Sequence, residues 1–218
     1  MTNEQAATEN ETEAQLALAL KALSVMRHDV RNLLASVTIM AGRMEESGDE
    51  RLAKAAPMLV ASMERTVALG VRAGQLAEAK ADAPEAVPIA RALSLIEEPA
   101  DRSVAAEGTG EAVLAGEAQL KTMLEEVIRN ARQAGTARLS AVREGDRVLI
   151  RVSDDGGGVP DYAQGDLFTP FKGAKRRDGT GLGLPLAARL ARLNGGTLRL
   201  ERTGDDGSVF VLDLPAAP

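Results

Sequence analysis

Residues 154–160 read Asp-Asp-Gly-Gly-Gly-Val-Pro, and they directly follow residues 147–153, in which apolar and polar side chains alternate. Alternation with period two is typical of a strand that buries one face. A carboxylate at the end of a strand can accept a hydrogen bond from an exocyclic amino group, and glycines let backbone approach a flat base. The stretch therefore predicts a β-containing domain with a ligand site at the end of this strand.

A second glycine-rich stretch, Gly-Thr-Gly-Leu-Gly-Leu at residues 179–184, opens a helix predicted to run from about Gly183 to Leu193. Glycine N–H groups at a helix N-terminus bind phosphate well. The stretch lacks the Gly-Lys-Ser/Thr of a Walker loop, and it follows a loop instead of the strand that a dinucleotide-binding βαβ unit requires. On its own, such a glycine cluster is more often a turn than a ligand site.

The third element is Asn130, on a clear amphipathic helix predicted over residues 117–134. Its amide oxygen suits Mg²⁺, which takes a few protein oxygens together with phosphate and water. An asparagine on a helix is usually a surface or capping residue. Glu126 lies four residues earlier and therefore shares a face with Asn130. The three elements together, and none of them alone, predict a nucleotide site.

The pattern around these elements predicts an α/β sandwich, with a mixed sheet and helices on one face. Residues 89–97 have a helical pattern, and two hairpins are expected where turn residues separate pairs of alternating runs. The predicted strands are residues 103–106, 112–115, 137–143, 147–153, 197–202 and 209–214. We predict that this domain spans residues 89–218 and follows a linker, residues 81–88, which is small, polar and contains two prolines.

The N-terminal third has a different pattern, a heptad seam that predicts a helical hairpin over residues 12–80 after a disordered arm, residues 1–11. Apolar seam residues are Leu16, Leu20, Leu23, Val30, Leu34, Val37 and Met44, with Arg27 and Ala41 at the two remaining seam positions; Met26, Leu33 and Met40 form a flanking row. Pro57, inside the second helix, should kink it or mark its first turn. One hairpin buries too little surface, so we expect a homodimer that forms a four-helix bundle.

His28 is the single histidine of the chain. An imidazole can be the nucleophile that accepts a phosphoryl group. The heptad places His28, Asp29 and Asn32 away from the seam, with Asn32 one helical turn beyond His28. A lone surface histidine is usually there by chance, but the nucleotide elements downstream favour an acceptor.

The bulk composition excludes several classes of protein. A net charge of −6 with 2% aromatic residues argues against a nucleic-acid binder. The chain has no cysteine, which rules out disulfides and thiolate metal sites. No apolar run approaches the ~20 residues of a membrane helix, and the polar N-terminus does not resemble a signal peptide. We expect a cytoplasmic protein.

The motifs as a set resemble those of the sensor histidine kinases, over about residues 12–216. Asn130-Ala131, Asp154-x-Gly156-x-Gly158, residues 167–171 and residues 179–184 are similar to the family's N, G1, F and G2 boxes. Residues 28–34, His-Asp-Val-Arg-Asn-Leu-Leu, are similar to the H box in the variant found in nitrogen-regulation and hybrid kinases. The family's ATP-binding domain shares its sandwich with Hsp90, DNA gyrase and MutL.

The resemblance implies an ATP- and Mg²⁺-dependent kinase. His28 would accept the phosphoryl group and pass it to an aspartate of a response-regulator receiver domain, Asp29 would assist proton removal, and Asn32 would orient water in a phosphatase reaction. Asp154, with Gly156 and Gly158, would read adenine, and Asn130 would help to hold Mg²⁺. The phosphate-binding residues would be Gly179, Thr180, Gly181, Leu182 and Gly183, with one or two cations from Lys172, Lys175, Arg176 and Arg177.

Two departures from the family pattern leave alternatives open. Leu33 stands where most members have proline, which fits the variant branch, and Glu126 stands where asparagine is common. Glu126 is either a Mg²⁺ ligand or catalytic base, or a helix-surface carboxylate. For the whole chain, the alternatives to a histidine kinase are a histidine phosphotransferase with a vestigial nucleotide domain and an anti-sigma-type serine kinase or binding protein. No sensor domain is recognisable, so either this sequence is one part of a longer protein or a separate sensor protein provides the input.

Overall fold

The computed structural model describes residues 33–96, 104–172 and 180–218. The chain divides into two compact units, Met1–Glu78 and Ala79–Pro218. The described part of the first unit is helical and the second unit is an α/β domain with a mixed sheet, which confirms the predicted order of a helical region followed by an α/β domain. Within the described ranges, every helix is too short or too polar to span a bilayer.

The described part of the first unit is a helical hairpin. Helix α1 is described over residues 33–46, and helix α2 runs over Glu50–Glu78. The turn between them has Gly48 at φ 75°, and the Asp49 carboxylate accepts a hydrogen bond from the Arg51 N–H at 2.8 Å, as an N-cap does. α2 begins about two turns before Pro57, so the first-turn role predicted for Pro57 is wrong.

Burial along α1 follows the predicted seam. Leu34, Val37 and Met44 are half-buried and Ala41 is buried, whereas Leu33 and Met40 of the flanking row are 56% and 63% exposed. The seam residues therefore lie on the more buried side of α1, and the flanking row stays open to solvent.

The predicted linker before the second unit requires a correction. Its last four residues, Glu85–Pro88, form strand β1, which pairs antiparallel with strand β3, Ala112–Ala115, and helix α3 follows β1 at Ile89–Ser94. The physical reason is the burial of Val87 against the domain, with 2% of its surface exposed. The second unit accordingly begins at Ala79, before the predicted linker.

The second unit is built on a five-stranded sheet. Its strands are β2 Ala105–Glu107, β4 Arg138–Glu144, β5 Arg147–Asp154, β6 Thr197–Gly204 and β7 Gly207–Pro215. Their order is β2-β4-β5-β7-β6, with β2 parallel to β4 and the other pairs antiparallel. Helices α4, Glu117–Ala134, and α6, Gly183–Leu193, pack together and against β5, β6 and β7. A short helix that the sequence did not predict, α5, spans Asp161–Gln164.

The core lies between the sheet and these two long helices. On β5, Val148, Ile150 and Val152 are fully buried, and their register partners on β7 are Leu214, Leu212 and Phe210, which are buried as well. The intervening side chains of β5 point to the other face, where Arg147 pairs with Asp213 at 2.6 Å and Arg151 with Glu201 at 2.9 Å. Burial along β5 therefore follows the predicted alternation except at Leu149, which is buried on the other face.

Candidate functional site

Asp154 is the last residue of β5, and it lies on the buried side of that strand with 7% of its surface exposed. Its Oδ1 accepts a hydrogen bond from the Gly156 N–H at 3.0 Å. The turn that follows the strand therefore holds the carboxylate in place. A buried carboxylate oriented in this way is suited to accept a hydrogen bond from a neutral donor on a ligand.

The glycines of this turn permit close backbone contacts. A Cβ at Gly156 would lie 2.6 Å from the Ala134 carbonyl oxygen, at the end of α4. Gly158 has φ 73°, and the neighbouring Val159 N–H donates to Thr203 Oγ1 of β6 at 2.7 Å. The turn is thus packed between α4 and the β6–β7 hairpin, and only glycine fits at position 156.

We expect Gly156→Ala to destabilise the second unit by about 1–3 kcal/mol, because the added methyl group forces the turn away from the backbone of α4. Gly157→Ala is the matched control, since a Cβ there meets nothing within 4 Å. Urea unfolding followed by circular dichroism measures both changes. Equal unfolding midpoints for the two variants would contradict the close packing at Gly156.

The second aspartate of the turn has a structural contact. Asp155 Oδ1 accepts a hydrogen bond from the Thr136 N–H, just after α4. The hydrogen bonds from Thr136 lower the pKa of Asp155 below its ordinary value. Asp155 therefore fastens the turn to the α4–β4 connection, while Asp154 is left to face a ligand.

Glu126 and Asn130 lie one turn apart on α4, as the sequence predicted. Glu126 is buried and Asn130 is half-buried. The Glu126 carboxylate forms an ion pair with Arg129, whose side chain is 34% exposed. The sequence analysis did not select Arg129, although its i,i+3 spacing from Glu126 is a signal that can be read once Glu126 is known to be buried.

The glycine-rich turn before α6 lies against this pair. Gly181 has φ 67°, and Gly183 is the first residue of α6. A Cβ at Gly183 would overlap the Glu126 carboxylate and would lie 3.2 Å from Arg129 Nη2. Leu182 is fully buried, and its N–H donates to Thr180 Oγ1 at 3.4 Å.

The segment around residues 167–171 joins the same turn. The Phe171 N–H donates to the Gly181 carbonyl at 2.9 Å, with Phe171 at φ 66°. Lys172 follows it and pairs with Asp166 at 3.4 Å, with both side chains about half exposed. An exposed pair of this kind contributes little to stability, so the Lys172 ammonium is available to an anion.

Several predicted site residues lie outside the described residues. They are His28, Asp29, Asn32, Lys175, Arg176, Arg177 and Gly179. The predicted residues that the structure brings together are Glu126 and Gly183, in direct apposition, and Asp154 with Gly156. Within the described ranges, no three His, Cys, Asp or Glu side chains form a group that could hold a metal ion.

Comparison with known proteins gives a family match to the domain. The model for histidine kinase-, DNA gyrase B-, and HSP90-like ATPases matches residues 115–218. Alginate biosynthesis sensor protein KinB of Pseudomonas aeruginosa is 37% identical over 97 residues, which are 44% of this chain and 16% of KinB. Sporulation kinase C of Bacillus subtilis is 34% identical over 103 residues, which are 45% of this chain and 24% of that kinase. The chain thus spans under a quarter of these relatives' length.

Solved structures share the fold beyond the matched domain. The crystal structure of full-length ShkA in complex with AMPPNP superposes with a TM-score of 0.67 at 23% identity, covering 90% of this chain and 46% of that one. The histidine kinase AdeS of Acinetobacter baumannii superposes with a TM-score of 0.54 at 18% identity, covering 88% of this chain and 98% of that one. At these identities the likeness concerns the fold.

Proposed function

We propose that this chain is an ATP-dependent protein-histidine kinase. The proposal starts from the match of residues 115–218 to the family model for histidine kinase-, DNA gyrase B-, and HSP90-like ATPases. The observation that carries the proposal is the apposition of Gly183 with Glu126, one turn from Asn130. The start of α6, whose backbone N–H groups suit phosphate, lies there against the carboxylate of α4. The names of the relatives KinB and sporulation kinase C support the same class.

The nucleotide would bind along the side of α4. The Asp154 carboxylate would accept a hydrogen bond from the adenine amino group. Gly156 and Gly158 would hold the turn beside it, because they let the turn pack against α4 and the β6–β7 hairpin. The phosphates would be held by the N–H groups of Gly181, Leu182 and Gly183 and by Thr180. Lys172 and, from the sequence, Lys175 and Gly179 would contribute to the same site.

Asn130 and Glu126 would supply oxygens for Mg²⁺, which prefers few protein ligands and leaves its other positions to phosphate and water. When bound, Mg²⁺ neutralises charge on the phosphates, which is the main requirement of phosphoryl transfer. The buried position of Glu126 keeps its carboxylate fixed beside the start of α6. Because the Arg129 guanidinium already pairs with Glu126, Asn130 is the better supported of the two metal ligands expected from the sequence.

The acceptor would be His28. An imidazole nitrogen would form a bond to the γ-phosphorus while the bond from that phosphorus to the β–γ bridging oxygen breaks and ADP leaves. Asp29 would take the imidazole proton. The phosphoryl group would then pass to an aspartate carboxylate of a response-regulator receiver domain, and Asn32 would orient water for hydrolysis of that acyl phosphate.

The hairpin supports a homodimer. Large apolar side chains remain exposed along both helices: Leu33, Ile39, Met40, Leu52, Met58 and Leu59. Exposed apolar rows of this kind mark interaction surfaces. Pairing two hairpins as a four-helix bundle would cover them, and the supply of ATP favours a cytoplasmic location.

The test is incubation of the chain with γ-labelled ATP and Mg²⁺. We expect label on the chain that is labile in acid and stable in alkali, as phosphohistidine is, and transfer of that label to an added receiver domain. A chain that binds no ATP would instead favour the histidine phosphotransferase. Acid-stable label on a partner protein would favour the anti-sigma-type serine kinase.

A further inference from the structure

Arg129 lies beside Glu126 and Gly183 in the candidate site, and the proposed function gives it no role. Its guanidinium pairs with Glu126, and its Nη2 would be 3.2 Å from a Cβ at Gly183. Glu126 is 5% exposed, whereas the Arg129 side chain is 34% exposed. The guanidinium thus lies on the solvent side of the buried carboxylate, and both groups lie next to the first residue of α6.

This position has an electrostatic consequence. A buried carboxylate next to a phosphate site repels phosphate, and the repulsion is strong where solvent is scarce. A guanidinium paired with that carboxylate cancels most of the repulsion and keeps the carboxylate in one orientation. The N-terminus of α6 can attract phosphate only if the charge of Glu126 is balanced.

We propose that Arg129 is a positioning residue of the nucleotide site, which neutralises Glu126 and so allows the phosphates of a nucleoside triphosphate to approach Gly183. The inference rests on the proposed ATP binding. It assigns Arg129 an effect on the phosphate part of the nucleotide and none on the base, because the base would be held by Asp154 at the end of β5.

The test compares ATP with adenosine, each without Mg²⁺, by isothermal calorimetry or by competition against a fluorescent nucleotide. We expect Arg129→Gln to raise the Kd for ATP at least about tenfold, the scale of one unbalanced charge a few ångströms from a phosphate. The Kd for adenosine should stay within about twofold, since adenosine carries no phosphate. The double variant Glu126→Gln/Arg129→Gln should restore ATP binding to within about threefold of the wild type.

Two further variants serve as controls. Arg129→Lys keeps the positive charge and should bind ATP nearly as the wild type does. Lys121→Gln removes a cation from another ion pair of α4, with Glu125 at 3.1 Å, and should leave ATP binding unchanged. Circular dichroism and thermal melting establish that each variant is folded.

Equal losses for ATP and adenosine would overturn the inference and indicate a structural role for Arg129. So would unchanged ATP binding in Arg129→Gln, or no recovery in the double variant. If Arg129→Gln does not fold, the folded double variant decides: weak ATP binding there contradicts the inference. Failure of the wild-type chain to bind ATP would overturn the proposed function itself, and with it this inference.

Discussion

Replacing His28 by alanine should lower the label that the chain takes from γ-labelled ATP by at least about a hundredfold, because the nucleophile of the proposed reaction is removed. His28 is the only histidine in the chain, so no second imidazole can replace it. The measurement is acid-labile phosphate on the purified variant after incubation with Mg²⁺ and labelled ATP.

ATP binding by His28→Ala should stay within about twofold of the wild type, because the residues proposed to hold the nucleotide belong to the other unit, Ala79–Pro218. Asn32→Ala is the matched control. Asn32 is predicted one turn from His28 and would serve only the dephosphorylation of a partner, so its variant should still be labelled. Wild-type levels of label in His28→Ala would refute the assignment of the acceptor.

The sequence predicts best those elements that are long, have a regular apolar pattern and are bordered by residues that end a helix. The predicted helices at residues 117–134 and 183–193 agree with α4 and α6, because many apolar residues define each face and glycines border both helices. Strand β1 was missed because four residues with a proline at the end do not show an alternation. Its pairing with β3, more than twenty residues further along the chain, and the burial of Val87 stabilise it.

The residues of the candidate site also differ in how well the sequence indicates them. Asp154 and Gly156 could be selected because a carboxylate followed by glycines at the end of a strand is recognisable in the sequence, and the structure joins them by a hydrogen bond. Arg129 could not, since arginines on helices are common and its partner Glu126 is recognisable as buried only after α6 is packed on α4. The role of Asp155 was hidden for a similar reason, because its contact with Thr136 depends on where the α4–β4 connection lies.

Asp154→Asn should raise the Kd for ATP by about 10–100-fold. The carboxylate can accept hydrogen bonds from both the Gly156 N–H and the adenine amino group, whereas an amide has only one oxygen that accepts. The amide oxygen of the substituted side chain can accept from the Gly156 N–H, as Asp154 Oδ1 does at 3.0 Å. The NH₂ group of that side chain would then face the adenine amino group, which is also a donor. If the amide turns around, the Gly156 N–H loses its acceptor instead.

The comparison of ATP with ITP makes this prediction specific. The base of ITP has a carbonyl oxygen where adenine has its amino group. The wild-type carboxylate should therefore disfavour ITP, whereas the NH₂ group of Asp154→Asn can donate a hydrogen bond to that oxygen. We expect the preference for ATP over ITP to fall by at least about tenfold in the variant, the size of one misplaced hydrogen bond to a charged group. Asp155→Asn is the neighbouring control and should keep the wild-type preference, since Asp155 contacts Thr136. An unchanged preference in Asp154→Asn would mean that Asp154 does not read the base, whatever its effect on affinity.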